Sequence, residues 1–145
     1  MTAAARRDSK TRLLDATLRI VRAKGFTATR IEDVCAEAGV TKGSFFHHFK
    51  SKDDLALAAI AHWDGMTGQL FAQAAYHRAT DPLDRLLAYL DFRKRLLAGD
   101  LPDVTCFVGT IAQEAYRTRP EIVASCARSI LDHARTLEAD IRAAM

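Results

Sequence analysis

Residues 41–48 gather the side chains with most to offer chemically: Thr41, Lys42, Ser44, Phe46, His47 and His48, arranged around Gly43. Hydroxyls, an ammonium and imidazoles are donors, and the acceptors they suit at this density are phosphate oxygens and the edges of bases. Other chemistry finds little support. There are no paired carboxylates, no Ser/His/Asp set and no cofactor loop, and Glu114 and His133 alone carry no mechanism. The chain therefore reads as a non-enzyme without a cofactor. His47 and His48 are adjacent, and neighbours on a helix do not converge on one ion. Cys35, Cys106 and Cys126 are far apart without metal-ligand spacing. No metal site is expected, and the thiols fit a reducing compartment.

Gly43 sits inside a short helical pattern, where glycine costs roughly 1 kcal/mol relative to alanine. Close approach of backbone to a sugar-phosphate chain is one reason for it; a tolerated helix glycine is the other. Thr29, Thr41 and Lys52 stand at expected helix starts, where amides and side chains bind phosphate together. Phe45 and Phe49, four apart, are expected to face a core and leave Phe46 outward.

The elements that must hold these residues read as helices almost throughout. Residues 1–9 read as frayed. A first helix over residues 9–24 carries Leu13, Leu14, Ala16, Ile20 and Val21 on one stripe, with Thr17 bonding back one turn. Gly25 ends it and Phe26 plugs the space beyond. A second helix opens at Thr29 through a capping box with Glu32 and turns inward Ile31, Val34, Cys35 and Ala38. Ala38-Gly39-Val40 is the turn into a third helix capped by Thr41. A long fourth helix follows Ser51 to about residue 75, with Asp53 and Asp54 in its first turn and a bend possible at Gly65 or Gly68. Three more are expected over residues 82–98, 103–118 and 120–143, opened or separated by Pro82, Gly99 and Pro120.

Lys plus Arg number 21 and Asp plus Glu 18, a net charge of +3 that argues little alone. Its distribution is more telling. Residues 1–55 hold 11 basic and 7 acidic side chains, and the rest of the chain is slightly acidic. The positive end coincides with the helix-turn-helix pattern, as an electrostatic footprint on DNA requires. No apolar run is long enough for a signal peptide or a membrane span, so a cytoplasmic protein is expected.

From Lys10 to Ala61 the chain resembles the N-terminal module of TetR/AcrR-family bacterial transcriptional regulators. The resemblance rests on Gly25-Phe26, Thr29 and Ile31, Ala38-Gly39-Val40, Lys42-Gly43-Ser44, the aromatic third helix and Phe49-Lys50-Ser51-Lys52. It implies an all-α fold, with a DNA-binding domain over residues 1–52 and a helical ligand-binding and dimerisation domain over residues 53–145. The last two family helices are expected to be missing, with Leu131, Leu137 and Ile141 left as apolar surface. It further implies a homodimer on a palindromic double-stranded operator, released by a small, mostly apolar effector; the alternative is a DNA-binding regulator without ligand control. Thr29, Lys52 and the turn around Thr41 would contact phosphates, while Lys42, Gly43, Ser44, Phe46, His47 and His48 face the groove. Where the family commonly has tyrosine, Phe46 lacks the hydroxyl. Cys106-Phe107-Val108-Gly109 loosely resembles a segment of the family's second domain. The candidates to line a cavity there are Trp63, Phe71, Tyr89, Phe92, Phe107 and Tyr116. Met66, Cys106 and Gln113 could join them. The competing assignment for each is plain core.

Overall fold

The computed structural model describes residues 3–145, with side chains from Ser9 onward; Met1 and Thr2 lie outside the described residues, so the frayed start is addressed only from Ala3, where the backbone is already helical. Helix α1 spans Ala3–Lys24. Leu13, Leu14, Ala16, Leu18 and Val21 are buried along it, and the Thr17 hydroxyl donates to the Leu13 carbonyl at 2.8 Å. Gly25 ends the helix at φ +91°, and Phe26 is buried in the corner behind it.

Helix α2, Ile31–Ala38, begins two residues later than the sequence reading placed it. Thr29 does not cap. Its hydroxyl donates to the Gly25 carbonyl at 2.6 Å, which commits it to the α1–α2 corner. The box shifts by one residue instead, with the Arg30 amide donating to the Asp33 carboxylate at 2.9 Å. Gly39 closes α2 in the left-handed region, at φ 64°. Helix α3, Lys42–His48, is capped by the Thr41 hydroxyl, which accepts from the Ser44 amide at 3.1 Å. Helix α4, Lys52–Ala72, starts on the Ser51 hydroxyl in the same way and runs unbroken past Gly65 and Gly68.

The remainder departs further from expectation. A 3-10 turn, Ala75–Arg78, precedes α5, Pro82–Arg95. The helix expected over residues 103–118 divides into α6, Leu101–Val104, and α7, Phe107–Ala115. Thr105 bonds back to the Leu101 carbonyl at 2.6 Å and closes α6, while Cys106 turns extended to cap α7 with its sulfur. The last expected helix divides likewise into α8, Pro120–Arg135, and α9, Glu138–Ala144. There Thr136 bonds to the His133 carbonyl at 2.6 Å. A three-bond clasp of Asp140 by Arg85, at 2.8–3.1 Å, then draws α9 onto α5.

One hydrophobic core joins the N-terminal helices to the body. Leu13, Val21, Phe45 and Phe49 share it with Leu55, Ile60, Phe107, Ile111 and Ile122. A second, smaller cluster of Phe71, Tyr76 and Tyr89 lies under α5, with Phe92 and Leu137 against it. No strand occurs among the described residues, and no helix is long and apolar enough to cross a membrane.

Candidate nucleic-acid interface and body cavity

The α2–α3 turn is held from outside by α1. One guanidinium nitrogen of Arg12 donates to the Ala38 carbonyl at 2.5 Å and to the Gly39 carbonyl at 2.8 Å. Those are carbonyls that the end of α2 leaves without helical partners. With Gly39 fixed, α3 can take one orientation on the core, anchored by Phe45 and Phe49, which are 0% and 3% exposed. The opposite face is then open. Lys42, Gly43, Phe46 and His47 are exposed, and Ser44 and His48 lie at its edges. Phe46 is 50% exposed and meets Phe45 edge-on at 5.1 Å.

Gly43 bears directly on that face. A Cβ built on it would meet only the Thr41 hydroxyl, at 3.8 Å, so nothing inside the protein requires a glycine there. The residue leaves room for something outside. Lys42 donates to Glu32 at 2.8 Å, which holds the Glu32 carboxyl below and the Lys42 ammonium above their ordinary values. Both are solvent-exposed, and such a pair is worth little and exchanges readily for another anion. His48 shares a hydrogen bond with Ser9 at 2.9 Å, so α1 sets its ring.

Two expected phosphate contacts are placed differently. Thr29 is 3% exposed and its hydroxyl is committed inward. Lys52 is half-buried, donating to the Phe26 carbonyl at 2.7 Å over the Phe26 ring, and burial with Arg119 nearby lowers its pKa. Lys50, whose exposed side chain has no acceptor among the described residues, and Lys10, which reaches across the Phe49 ring, belong to the positive end but not to the expected contacts. The signal was available in Lys50, next to a phenylalanine that must face inward.

In the body, α4, the 3-10 turn, α5, α8 and the Cys106 corner enclose a cavity of about 650 Å³. Trp63, Phe71 and Tyr76 supply aromatic walls, with Cys106, Val108 and Ile130 between them. Asp64, Arg93, Asp132 and His133 bring polarity. His133 meets the Tyr89 hydroxyl at 2.8 Å, and burial first, then Arg93, holds its pKa below the ordinary imidazole value.

Residues 13–59 match the family model of bacterial regulatory proteins, tetR family. The chain belongs to the TetR/AcrR family. The HTH-type transcriptional regulator YerO of Bacillus subtilis is 40% identical over 60 residues, 41% of this chain and 21% of that protein. The transcriptional regulator AcuR of Cereibacter sphaeroides is 31% identical over 102 residues, 70% of this chain and 47% of that protein. A TetR-family regulator from Agrobacterium tumefaciens has the same fold, at a TM-score of 0.82 and 21% identity over 96% of this chain and 72% of that one. The chain thus spans less than half the length of these two curated relatives.

Within this TetR-family chain, the cavity gathers three of the nine residues expected to line it: Trp63, Phe71 and Cys106. Phe107 is fully buried in the main core, and Tyr89 is buried in the second cluster with Phe92 packed beside it. Met66 and Tyr116 are exposed, and Gln113 lies outside the lining. Arg93, Ser129 and His133 were missed, because a polar residue facing a cavity repeats no pattern in sequence.

Proposed function

We propose that this chain is a DNA-binding transcriptional regulator, most simply a repressor that binds a palindromic operator as a homodimer and leaves it when a small, mostly apolar molecule enters the body. The observation that carries the reading is α3 itself. Phe45 and Phe49 lock one face into the core, and the other offers Lys42, Gly43, Phe46 and His47 to solvent. A helix held this way fits a major groove, with its N-terminal residues at the base edges. Ser44 and His48 would flank the groove, and the Thr41 turn with Lys50 would meet phosphates. Phe46 has no hydroxyl, so its contact is apolar, of the kind a thymine methyl accepts. Residues 1–52 serve in this reading as the DNA-binding domain and residues 53–145 as the effector and pairing domain. Leu83, Leu87 and Leu90 on α5, each more than half exposed, support pairing because a monomer leaves them in water.

The cavity of about 650 Å³ favours ligand control over a regulator without it, since it matches the size of sites for small organic molecules. Trp63 links it to the DNA-binding helices. The ring lines the cavity, and the Arg22 guanidinium of α1 lies over it at 5.5 Å. Arg22 also donates to the Asp103 carbonyl at 3.2 Å, so a shift of the indole reaches α1 directly. Fluorescence anisotropy with a labelled random-sequence duplex tests the DNA reading. Binding should weaken steeply with salt, and replacing Lys50 by Ala should lower the log–log slope by about 0.9, the loss of one phosphate contact. A folded variant with an unchanged slope refutes the assignment of Lys50.

A further inference from the structure

Among the charged groups around the cavity, Arg93 stands apart in having no hydrogen-bond partner among the described residues. Asp64 accepts the Ser129 hydroxyl, and Asp132 is paired with Arg135 at 2.5 Å. The Arg93 guanidinium lies 5.4 Å from the centroid of the Phe71 ring, at the end of the cavity where His133 also sits. The His133 ring is 4.4 Å from Phe71 and is held on its other side by Tyr89. A guanidinium stacked on an aromatic face is a planar fork of donors with little hydration to lose, and a carboxylate is the acceptor that fits it two bonds at a time. Arg93 also adds to the burial that disfavours a positive charge on His133, and an anion held at this corner would offset that repulsion.

The rest of the space is apolar. Trp63 and Phe71 lie on the same helix, eight residues apart, so the walls run on for about 12 Å from the Arg93 corner. Tyr76, Val108 and Ile130 close the sides. We infer that the cavity takes an elongated carboxylic acid, its carboxylate on Arg93 and its hydrocarbon or aryl body laid along Phe71 toward Trp63. This rests on the reading of the cavity as the effector site and names the effector's chemical class.

Trp63 is the only tryptophan of the chain and lines the cavity, so its emission responds to a molecule that enters there. The test is titration of the whole chain with octanoate, octanamide and octylamine, which share one body and differ in charge. Octanoate should bind at least about 10-fold more tightly than octanamide, with octylamine weakest. In Arg93→Gln the octanoate preference should shrink to within about two-fold while octanamide binding is unchanged; in Arg93→Lys it should be intermediate, because the charge remains and the fork is lost. Circular dichroism on each variant establishes that it is folded. Equal or tighter binding of the amide or the amine overturns the carboxylate assignment and leaves the effector cavity standing. Silence of Trp63 toward all three, with no thermal shift, overturns the cavity reading together with the inference built on it.

Discussion

The corner between α1 and α2 supplies a prediction whose size can be worked out. The Glu114 carboxylate of α7 accepts the Thr27 amide at 2.6 Å and lies where a side chain on Gly25 would go. Gly25→Ala therefore does two things. It puts a Cβ on a residue at φ +91°, costing about 1–2 kcal/mol. The new methyl also overlaps the carboxylate, which swings aside and releases Thr27. A charge-assisted bond of this kind is worth up to about 3 kcal/mol when sheltered, and about 1 kcal/mol here because the Thr27 amide can return to water. The single change should cost about 2–3 kcal/mol and Glu114→Ala about 1 kcal/mol. Their combination should cost no more than Gly25→Ala alone, because the bond can be lost only once. Urea unfolding followed by far-UV circular dichroism measures all three against the parent. A double variant whose cost equals the sum of the singles, to within about 0.5 kcal/mol, would refute the claim that Glu114 reads the Gly25 corner.

The exposed and buried basic residues should separate in behaviour. Lys52→Met should lower stability by about 1 kcal/mol, through loss of the Phe26 carbonyl contact, with less effect on the salt slope of DNA binding than Lys50→Ala. Phe46→Tyr should leave stability within about 0.5 kcal/mol and tighten DNA binding, because the ring is half exposed and the added hydroxyl can reach a phosphate; weaker binding would count against Phe46 at the interface. His133 carries a depressed pKa, so the unfolded chain binds its proton first. Its contribution to stability is complete above the ordinary imidazole value and is lost as pH falls through and below it. His133→Gln should flatten the stability profile on that acid side, read by thermal melts across the range, and an unchanged profile would show that burial of the imidazole does not set it.

The helix-turn-helix was legible because its determinants are local. Gly25 and Gly39 must take positive φ, Thr41 and Ser51 cap within three residues, and Phe45 and Phe49 fall on one face whatever the rest of the chain does. The error at Thr29 is of the same local kind. Two overlapping patterns, Thr29 with Glu32 and Arg30 with Asp33, compete for the start of α2, and the Gly25 carbonyl decides by taking the Thr29 hydroxyl. The cavity was not legible, because five separate stretches enclose it. Aromatic character alone could not say that Phe107 would point into the core and Trp63 into the hollow. The breaks at Thr105 and Thr136 were hidden for a related reason, since a side chain bonding back to its own helix leaves the apolar period intact.

The central claim is that the exposed face of α3 reads duplex DNA, and Gly43 is where it can be struck without touching the core. The most direct measurement is selection of bound fragments from a random duplex library, run with this chain and with Gly43→Trp. The account predicts an enriched motif, palindromic if the chain pairs and a single half-site if it does not, and its disappearance in the Trp variant at equal thermal stability. The same motif recovered by both proteins, or no enrichment from the folded parent, would contradict it.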